Sequence, residues 1–454
     1  MHGDTIVAPA TPAGVSAICV IRASGNLCGG LFASLLPERT FHPRHLYRCK
    51  YLALDGDVVD DVMAVFFAAP NSYTGEDSME IHCHGNMLIA EKILLDLCAK
   101  GCRFAEPGEF TRRAFLNGKM DLCQAEAVAD VIHAASERAI RVAQNQLSGA
   151  LGEKIGTMSK NLLKILAKIE GGIDFPEYEV ATSDTLQSEI LPMLEDISEK
   201  IKDLIDSHRF RASIEGGITA VIFGEPNVGK SSLFNCLLGE DRAIVSEVAG
   251  TTRDMISEKV VIGGNVLKIY DTAGLRVGNL CEVERIGIEK AITKLMAAEL
   301  FLVVVDASSD KIPQIPSKIT NLLHRENTLL VINKIDLGKR NEFTNFLPNV
   351  DRVEISGIDH SNSNSLKGKI SEMISRNEIF SQRIDISVNG RHVKILHRAS
   401  ENLSTAMKSL QNGDGTEIAA SDIRQALEVL GEITGAFDAE KMLDLVFSNF
   451  CVGK

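Results

Sequence analysis

The chain has 454 residues, of which 45% are apolar and 24% charged, and its formal net charge is −13 at pH 7. This length indicates roughly two to four domains, the composition is typical of globular proteins, and the acidic balance excludes general electrostatic attraction to nucleic acid. Scattered cysteines, the lack of a secretory segment and apolar runs no longer than a strand, such as Leu300–Val305, lead us to expect reduced thiols, a cytoplasmic protein and no membrane span.

The N-terminal part of the chain predicts an α+β domain, because short apolar runs alternate there with glycine and proline. Ser16–Arg22 and Val62–Phe67 are typical of strands. We expect only one or two helices, the clearest at Asn86–Lys100. The most basic stretch, His42–Lys50, either contacts nucleic-acid phosphates or forms a solvated loop and strand.

Three potential metal ligands follow one another at His82, Cys83 and His84. In a strand, the two histidines share one face of the sheet and Cys83 points to the other. No further ligands follow at the spacing of a zinc site. We therefore expect a structural role for these residues.

From about Lys119 the pattern changes to helices rich in Ala, Leu, Ile and Glu. Helical periodicity covers residues 121–170 and 182–213, and we expect Gly171-Gly172 and the F-P-E-Y stretch from Phe175 to separate the two. The pattern returns at residues 390–411, 421–430 and 438–447. Because a segment of different texture lies in between, we predict one helical domain with an α/β module inserted into it.

The inserted segment begins with the pattern G-x-x-x-x-G-K-S at residues 224–231. A predicted strand, Thr219–Phe223, precedes it and a helical pattern, Ser232–Leu238, follows, which is the context of a phosphate-binding loop. Its backbone N–H groups and the helix N-terminus attract phosphate. We expect Lys230 to reach the β- and γ-phosphates and the Ser231 hydroxyl to bind Mg²⁺. The predicted nucleotide contacts of this loop are Asn227, Val228, Gly229, Lys230, Ser231 and Ser232.

A second motif predicts which base the nucleotide carries. The strand Leu329–Ile332 ends in Asn333-Lys334-Ile335-Asp336. A carboxylate at Asp336 can accept both N–H groups of the guanine Watson–Crick edge, which adenine does not offer. Ser356, after the predicted strand Val353–Ile355, places a backbone N–H within reach of the guanine oxygen. These residues indicate selection of GTP.

Two further segments predict hydrolysis. Asp271-Thr272-Ala273-Gly274 follows a strand, so Asp271 can hold Mg²⁺ through water and the Gly274 amide can sense the γ-phosphate. Thr252, in the segment G-T-T-R-D, can complete the Mg²⁺ coordination. Leu275 stands where Ras-type GTPases have a water-orienting Gln, so another group must act. The nearby acidic candidates are Glu282 and Glu284, which otherwise form a solvated helix start.

Over nearly its whole length the sequence resembles the MnmE (TrmE) family of tRNA-modifying GTPases. The short motif at the C-terminus and the run P-G-E-F-T-R-R-A-F-L-N-G-K are more specific than the phosphate loop. The segments that carry the resemblance are Thr11–Gly14, Val20–Arg22, Asn71–Asp77, Pro107–Lys119, Ala249–Asp254, Asp271–Arg276, Glu282–Gly287 and Phe450–Lys454. Ser246 and Gly357 stand where members usually have Thr and Ala.

The resemblance implies a fold of three parts, a multi-domain α/β protein with an inserted G domain. The expected domains are an N-terminal α+β folate-binding and dimerisation domain at 1–118, a helical domain at 119–214 and 377–454, and the P-loop GTPase domain at 215–376. It also implies a homodimer that forms a heterotetramer with an MnmG-type FAD-binding partner. The pair would add an aminomethyl or carboxymethylaminomethyl group to C5 of the wobble uridine of certain tRNAs. GTP hydrolysis and a carbon from 5,10-methylene- or 5-formyl-tetrahydrofolate are then required.

The resemblance also assigns residues to sites. Folate contacts fall on Arg22, Glu80, Lys119 and Lys454, and catalysis of GTP hydrolysis falls on Glu284 rather than Glu282. A K⁺ site, which replaces the positive charge of an arginine finger, falls on Asn227, Ser246, Val248 and Thr251. Cys451 is either a nucleophile or acid of the modification reaction or a small residue packed beside Phe450. Arg112 and Arg113 belong either to the folate site or to the packing of the domain.

Two other functions compete with this interpretation. A regulatory or ribosome-assembly GTPase would carry out no modification chemistry, and it predicts a basic RNA-binding domain that the sequence does not show. A stand-alone folate-dependent transferase with a regulatory G domain would need its own redox centre. The sequence carries no flavin-binding signature, which favours redox chemistry on a partner. Neither the set of tRNAs nor the nitrogen donor, ammonium or glycine, follows from the sequence.

Overall fold

A computed structural model describes most of the chain as two compact units, residues 1–129, 146–197 and 398–454 in one and residues 130–145 and 198–397 in the other. The described residues are 3–37, 39–174, 186–239, 257–271, 298–309, 313, 315, 317–338, 343, 345–356, 363–377, 385–412, 416–436 and 453. Within these residues, no helix combines the length and the apolarity needed to cross a membrane.

The first unit contains a six-stranded sheet in the order β3-β4-β5-β2-β1-β6, antiparallel except for the parallel pair β1–β6. In β5 buried residues alternate with more exposed ones over much of the strand, whereas Thr5–Ala8 of β1 are buried on both faces. The strands are β1 (Thr5–Pro9), β2 (Ser16–Ser24), β3 (Leu46–Leu52), β4 (Val58–Phe67), β5 (Ser78–Gly85) and β6 (Cys102–Phe104). The predicted strands at 16–22 and 62–67 are confirmed, and the basic stretch from His42 forms a turn and β3.

This part of the chain has three helices rather than one or two: α1 (Cys28–Leu35), α2 (Met87–Ala99) and α3 (Glu109–Leu116). The helix predicted near residue 86 is confirmed, and the Asn86 side chain caps it by accepting from Leu88 N at 2.9 Å. The first of the short helices, α1, was missed because Gly29 and Gly30 in its first turn lower helix propensity, and α3 was missed because its eight residues are too few for a clear helical pattern. Packing overrides that preference, since Phe32 of α1 is fully buried.

The helical pattern after residue 119 is confirmed as α4 (Leu122–His133), α5 (Glu137–Leu147), α6 (Ala150–Asp174), a π-helical turn (Leu186–Ile190) and α7 (Leu191–Gly216). One expectation was wrong: α6 continues through Gly171-Gly172 to Asp174. Leu162, Ile165 and Ile169 are buried along α6 at helical spacing, so tertiary packing outweighs the intrinsic cost of the glycines. The F-P-E-Y stretch lies outside the described residues.

The second unit contains a six-stranded sheet in the order β12-β11-β10-β7-β9-β8, in which only β8 and β9 are antiparallel neighbours. The strands are β7 (Ile218–Phe223), β8 (Ser257–Ile262), β9 (Asn265–Asp271), β10 (Leu300–Asp306), β11 (Thr328–Asn333) and β12 (Asp351–Glu354). Between and after these strands lie the helices α8 (Lys230–Leu238), α9 (Ser317–Thr320) and α10 (Ser363–Arg376). Each strand predicted for this module is confirmed within two residues. Both faces of the central strands are buried, which explains their continuous apolar runs.

Two long helices follow, α11 (Gly390–Asn412) and α12 (Thr416–Thr434). They confirm the helical patterns predicted at 390–411 and 421–430. In the first unit α12 packs along α6, and Arg424 of α12 forms an ion pair with Glu170. The pattern at 438–447 lies outside the described residues. Together the elements give a multi-domain protein with an α+β part, a helical part and an α/β part.

Candidate nucleotide and folate sites

The phosphate loop lies where β7 ends and α8 begins. Its glycines are required by close contacts: a Cβ on Gly224 would lie 2.4 Å from Val304 O. Gly229 has φ +96°, and a Cβ there would lie 2.1 Å from Asn333 Nδ2. Because β7, β10 and β11 are parallel neighbours, their carboxyl ends meet at one edge of the sheet, which is the usual ligand-binding edge.

Lys230 is the first residue of α8 and its side chain is folded under the loop. It is only 8% exposed, and Nζ donates to the carbonyl oxygens of Gly224 and Glu225 at 3.0 and 2.7 Å. These contacts hold a cation at the centre of the loop. Ser231 and Ser232 follow in the first turn of α8 and are exposed. A cation and a helix N-terminus thus face the same space, which suits a phosphate group.

The predicted base-recognition motif is hydrogen-bonded to this loop. Asn333 is 1% exposed, and its Nδ2 donates to Val228 O at 2.9 Å. Its Oδ1 accepts from Lys334 N at 2.8 Å. Lys334 Nζ donates to Asn227 O, also in the loop, at 2.7 Å. The two motifs, more than 100 residues apart in sequence, therefore form one structural unit.

The remaining predicted base contacts lie at the same edge of the sheet. Asp336 is exposed in a 3₁₀ turn, Ile335–Leu337, that directly follows β11. Ser356 is half-buried just after β12, the neighbour of β11, and the two connections touch where Ile335 N donates to Ile355 O at 3.4 Å. The carboxylate of Asp336 is therefore free of the sheet core and available to a ligand from solvent.

Several predicted site residues are placed only in part or not at all. Asp271 ends β9 beside Ile222 of β7, so its backbone lies at the edge that carries the phosphate loop. The residues that lie outside the described part of the chain are Ser246, Val248, Thr251, Thr252, Thr272, Ala273, Gly274, Glu284, Cys451 and Lys454.

One residue of this edge was not predicted. Asp306 ends β10, beside Asn333 of β11, and its Oδ2 accepts from Lys334 Nζ at 2.7 Å. Its Oδ1 accepts from the backbone N and the Oγ of Ser308 at 2.9 and 2.7 Å. Burial alone would raise the pKa of Asp306, but the hydrogen bonds from Lys334 and Ser308 outweigh it and hold the pKa below its usual value. The available sequence signal was an Asp that ends a buried apolar run, as Asn333 does.

Two predicted folate contacts face each other in the N-terminal sheet. Arg22 of β2 is the cross-strand neighbour of Glu80 of β5, and its Nε and Nη2 donate to Glu80 Oε1 at 3.0 and 2.8 Å. The guanidinium lies over the rings of Tyr73 and Phe110, at 5.6 and 6.0 Å from their centroids. Glu80 Oε2 lies 3.5 Å from His82 Nε2, a buried atom without a hydrogen bond. The resemblance assigned Arg22 and Glu80 separately to the folate site, and neither their pairing nor these three neighbours was predicted.

The other predicted folate contacts are placed less completely. Lys119 is exposed and its Nζ donates to Pro70 O at 3.0 Å. Gly453 is buried with φ +100°, and a Cβ there would lie 2.1 Å from Pro9 O. Pro9 ends β1 and is paired with Ile21, the residue before Arg22. Gly453 thus reaches the strand beside Arg22, and only glycine allows this approach.

Packing accounts for Arg113 and Cys83. The side chain of Arg113 is 9% exposed and forms ion pairs with Asp4, Glu76 and Glu109 at 2.8, 3.1 and 3.0 Å, so Arg113 belongs to the packing of the domain. Cys83 is 2% exposed in the core of the sheet. Its two histidine neighbours share the opposite face, as the strand periodicity predicted.

Comparison with known proteins gives matches along the whole chain. The family model described as GTP-binding protein TrmE N-terminus matches residues 5–119, and the model described as MnmE helical domain matches residues 122–451. The chain is 44% identical to the tRNA modification GTPase MnmE of Opitutus terrae, over 99% of both chains. It is 41% identical to that of Syntrophus aciditrophicus over 100% of both. It is 40% identical to that of Thermotoga maritima, over 99% of this chain and 100% of the relative.

Proposed function

Because the chain belongs to the MnmE family of tRNA modification GTPases, it is a GTPase, and we propose that it couples GTP hydrolysis to the modification of tRNA. The observation that carries this proposal is the contact between the two motifs of the parallel sheet. Asn333 Nδ2 donates to Val228 O and Lys334 Nζ donates to Asn227 O. A residue set selective for guanine is thereby fixed to the loop that binds phosphates.

The described residues suit GTP with Mg²⁺. Lys230 places an ammonium under the loop, Ser231 offers a hard oxygen donor in the first turn of α8, and Asp271 ends the neighbouring strand. A bound Mg²⁺ supplies positive charge that neutralises the phosphates. Asp336 would accept hydrogen bonds from the N–H groups of the guanine edge. The backbone N–H of Ser356, after β12, would donate to the guanine oxygen. The proposed GTP contacts in the segment after Asp271 are Thr272, Ala273 and Gly274, with Thr252 as the second Mg²⁺ ligand.

We assign the chemistry of hydrolysis to residues supplied by the resemblance. Leu275 cannot orient water, so Glu284 is proposed to position or deprotonate the attacking water. Asn227 is proposed as a K⁺ ligand together with Ser246, Val248 and Thr251. Asn227 is exposed at the tip of the loop with φ +66°. Lys334 Nζ donates to the backbone carbonyl of Asn227. The side-chain amide oxygen of Asn227 is the proposed ligand of the cation.

The N-terminal sheet is proposed to bind a tetrahydrofolate. Glu80 Oε2 accepts no hydrogen bond from the described residues, since both bonds from Arg22 end on Oε1. A pterin presents an amide-like edge whose N–H groups match such a carboxylate. Lys119 and Lys454 would hold the glutamate tail of the cofactor. The contact of Gly453 with Pro9 supports this assignment, because Gly453 lies against the strand beside Arg22.

The complete proposal is that a homodimer of this chain acts in the cytoplasm with a FAD-binding MnmG-type partner. Together they would transfer the folate carbon to C5 of the wobble uridine of certain tRNAs. The folate supplies the carbon when bound, and this chain binds and orients it. Arg22 and Glu80 would fix the pterin, and GTP hydrolysis in the parallel-sheet unit would drive the reaction cycle.

Analysis of modified nucleosides tests this function. tRNA from cells that lack the gene should lose the C5-modified wobble uridine, and the wild-type gene should restore it. A gene encoding Lys230→Ala should not restore it, and one encoding Arg22→Gln should restore it only in part. A ribosome-assembly switch would leave the modification intact in the deletion strain, which would refute the proposal. Modification by the purified chain without a flavoprotein would favour a stand-alone transferase instead.

A further inference from the structure

Asp306 is a carboxylate at the end of β10 that belongs to none of the predicted motifs. Asp306 forms an ion pair with Lys334, and the two side chains are 16% and 30% exposed, respectively. One carboxylate oxygen is fixed by two hydrogen bonds from Ser308, and the other accepts only from Lys334 among the described residues. The carboxylate is therefore held rigidly and presents one oxygen to the lysine of the base-recognition motif.

Lys334 needs such support because its conformation is unfavourable. Its φ is +63°, in the left-handed region that residues with a Cβ rarely adopt. Its long side chain also loses rotamer freedom when it is fixed. Three bonds compensate: the backbone N donates to Asn333 Oδ1, and Nζ donates to Asn227 O and Asp306 Oδ2. Of these three acceptors, only Asp306 is charged and contributes a charge-assisted bond.

We propose that Asp306 is a positioning residue of the guanine-nucleotide site, which holds Lys334 across the phosphate loop and thereby sets the affinity for GTP and GDP. Asp306 does not contact the nucleotide in this role. It acts through Lys334, which directly follows β11. The ammonium of Lys334 bonds Asp306 at the end of β10 and Asn227 of the loop. The inference rests on the proposed nucleotide site and adds a determinant of its affinity.

Electrostatics alone makes the opposite prediction. A carboxylate near a phosphate site repels the nucleotide, so its neutralisation should strengthen binding. If positioning dominates, neutralisation should weaken binding, because Lys334 loses its charged acceptor and the left-handed turn is less constrained. The sign of the change in affinity therefore distinguishes the two effects.

The experiment measures the affinity of the full-length chain for fluorescent N-methylanthraniloyl-GDP. We expect Asp306→Asn to raise Kd about tenfold and Ser308→Ala, which removes one of the two bonds that fix the carboxylate, to raise it about threefold. In GTP turnover, Asp306→Asn should raise KM by a similar factor and leave kcat within about twofold. Asp306→Glu should recover part of the affinity.

The matched control is Asp351→Asn. Asp351 also accepts from a cation, Arg376, at 3.1 Å and its side chain is 23% exposed, but it begins β12 rather than ending a strand. This variant should change Kd by less than about twofold. A similar loss in both variants would mean a general effect on the stability of the unit and would overturn the proposal.

A double-mutant cycle tests whether Asp306 acts through Lys334. In a Lys334→Gln background, which is itself expected to bind GDP more weakly, Asp306→Asn should cause little further loss. A full tenfold loss in that background, tighter binding by Asp306→Asn alone, or a loss confined to kcat would each overturn the inference. If the wild-type chain itself bound no guanine nucleotide, the proposed site would fail, and the inference with it.

Discussion

The two sheets of this protein build their sites in different ways. In the parallel sheet, the candidate site consists of connections that leave adjacent strands at one edge, and much of it is backbone: the loop amides, the carbonyls bound by Lys230 and the turn at Lys334. In the antiparallel sheet, the candidate site contains a pair of side chains, Arg22 and Glu80, that face each other across β2 and β5. The residues of the parallel-sheet site belong to contiguous sequence motifs, whereas the Arg22–Glu80 pair forms only in the correct strand register.

The two candidate sites also differ in the substitutions that they tolerate. A backbone site requires glycine where another residue would collide, as at Gly229 against Asn333. A side-chain site requires a fixed neighbour, as Arg22 requires the rings of Tyr73 and Phe110. We therefore expect substitutions in the parallel sheet to change GTP turnover but not folate binding. Substitutions in the antiparallel sheet should change folate binding but not GTP turnover.

The largest effect is expected for Lys230→Ala. The substitution removes the ammonium under the loop and leaves the carbonyls of Gly224 and Glu225 without their donor. GTP turnover by the full-length protein should fall about 100- to 1,000-fold, and folate affinity should not change. Lys259→Ala, on β8 of the same sheet, is the control and should stay within about twofold. Near-normal turnover at saturating GTP would place the phosphate site elsewhere.

Asp336→Asn should reverse the preference for the base. The amide that replaces the carboxylate can no longer accept from both guanine N–H groups, so kcat/KM for GTP should fall about 100-fold. Xanthosine triphosphate, which presents an additional oxygen to the new amide N–H, should become the better substrate. Turnover of both nucleotides is measured side by side, so the gain with one controls for damage to the protein. Unchanged selectivity for GTP would remove Asp336 from base recognition.

Replacement of K⁺ by Na⁺ should lower GTP turnover about tenfold, because the proposed cation supplies positive charge to the transition state. The measurement compares rates in KCl and NaCl at equal ionic strength. Asn227→Gly should abolish the difference between the salts, since glycine tolerates φ +66° but offers no side-chain oxygen. Equal rates for the wild-type protein in the two salts would refute the K⁺ site.

Arg22→Gln should weaken binding of 5-formyl-tetrahydrofolate about tenfold and leave GTP turnover within about twofold. The cause is loss of the charge-assisted bonds to Glu80, which then is no longer held toward the ligand. Arg48→Gln is the matched control, because Arg48 pairs with Asp61 on the same sheet but is 76% exposed. Equilibrium dialysis or calorimetry measures the affinity.

Deletion of Gly453-Lys454 is an independent change at the same proposed site. It should lower folate affinity in the same direction as Arg22→Gln, with GTP turnover retained. If deletion left folate binding intact, the contact of Gly453 with Pro9 would be a packing contact only. If GTP turnover fell in parallel, the separation of the two sites would be wrong.

The smallest effect on either activity is expected for Glu109→Gln, which should change stability instead. Burial raises the pKa of Glu109, but hydrogen bonds from Arg103, Glu106 N and Arg113 outweigh it and lower the pKa below its usual value. A lowered pKa means that the carboxylate stabilises the fold above the pKa of the unfolded chain and that this contribution is lost as the pH falls through the folded pKa.

Chemical denaturation at pH 7 should therefore show the variant about 1–2 kcal/mol less stable than the wild type in the transition of the first unit. The difference should shrink as the pH falls below the usual carboxyl range, because both proteins then lack the anion. A difference that stayed constant down to pH 3 would mean that the substitution acts through packing alone.

Much of the parallel-sheet unit could be predicted because its determinants are local. Strand, loop and helix follow one another around residues 219–238, and a buried strand runs directly into Asn333-Lys334-Ile335-Asp336. Asp306 was missed although it also ends a strand, because its role depends on a side-chain contact with Lys334 that no spacing reveals. In the N-terminal part, α1 was missed because Gly29 and Gly30 oppose helix formation, and burial of residues such as Phe32 reverses that preference. The other missed helix, α3, has only eight residues, too few for a clear helical pattern.

The sequence by itself determined the family, several strands and the first helix of the inserted segment, and the candidate phosphate and base motifs. These are properties of short contiguous segments, in which the chain itself fixes the spacing of donors and acceptors. Tertiary structure alone decided that Asn333 and Lys334 hold the phosphate loop, that Arg113 is a packing residue and that Gly453 reaches the end of β1. Each of these contacts joins residues far apart in the chain, so each depends on strand register and packing that no local pattern encodes.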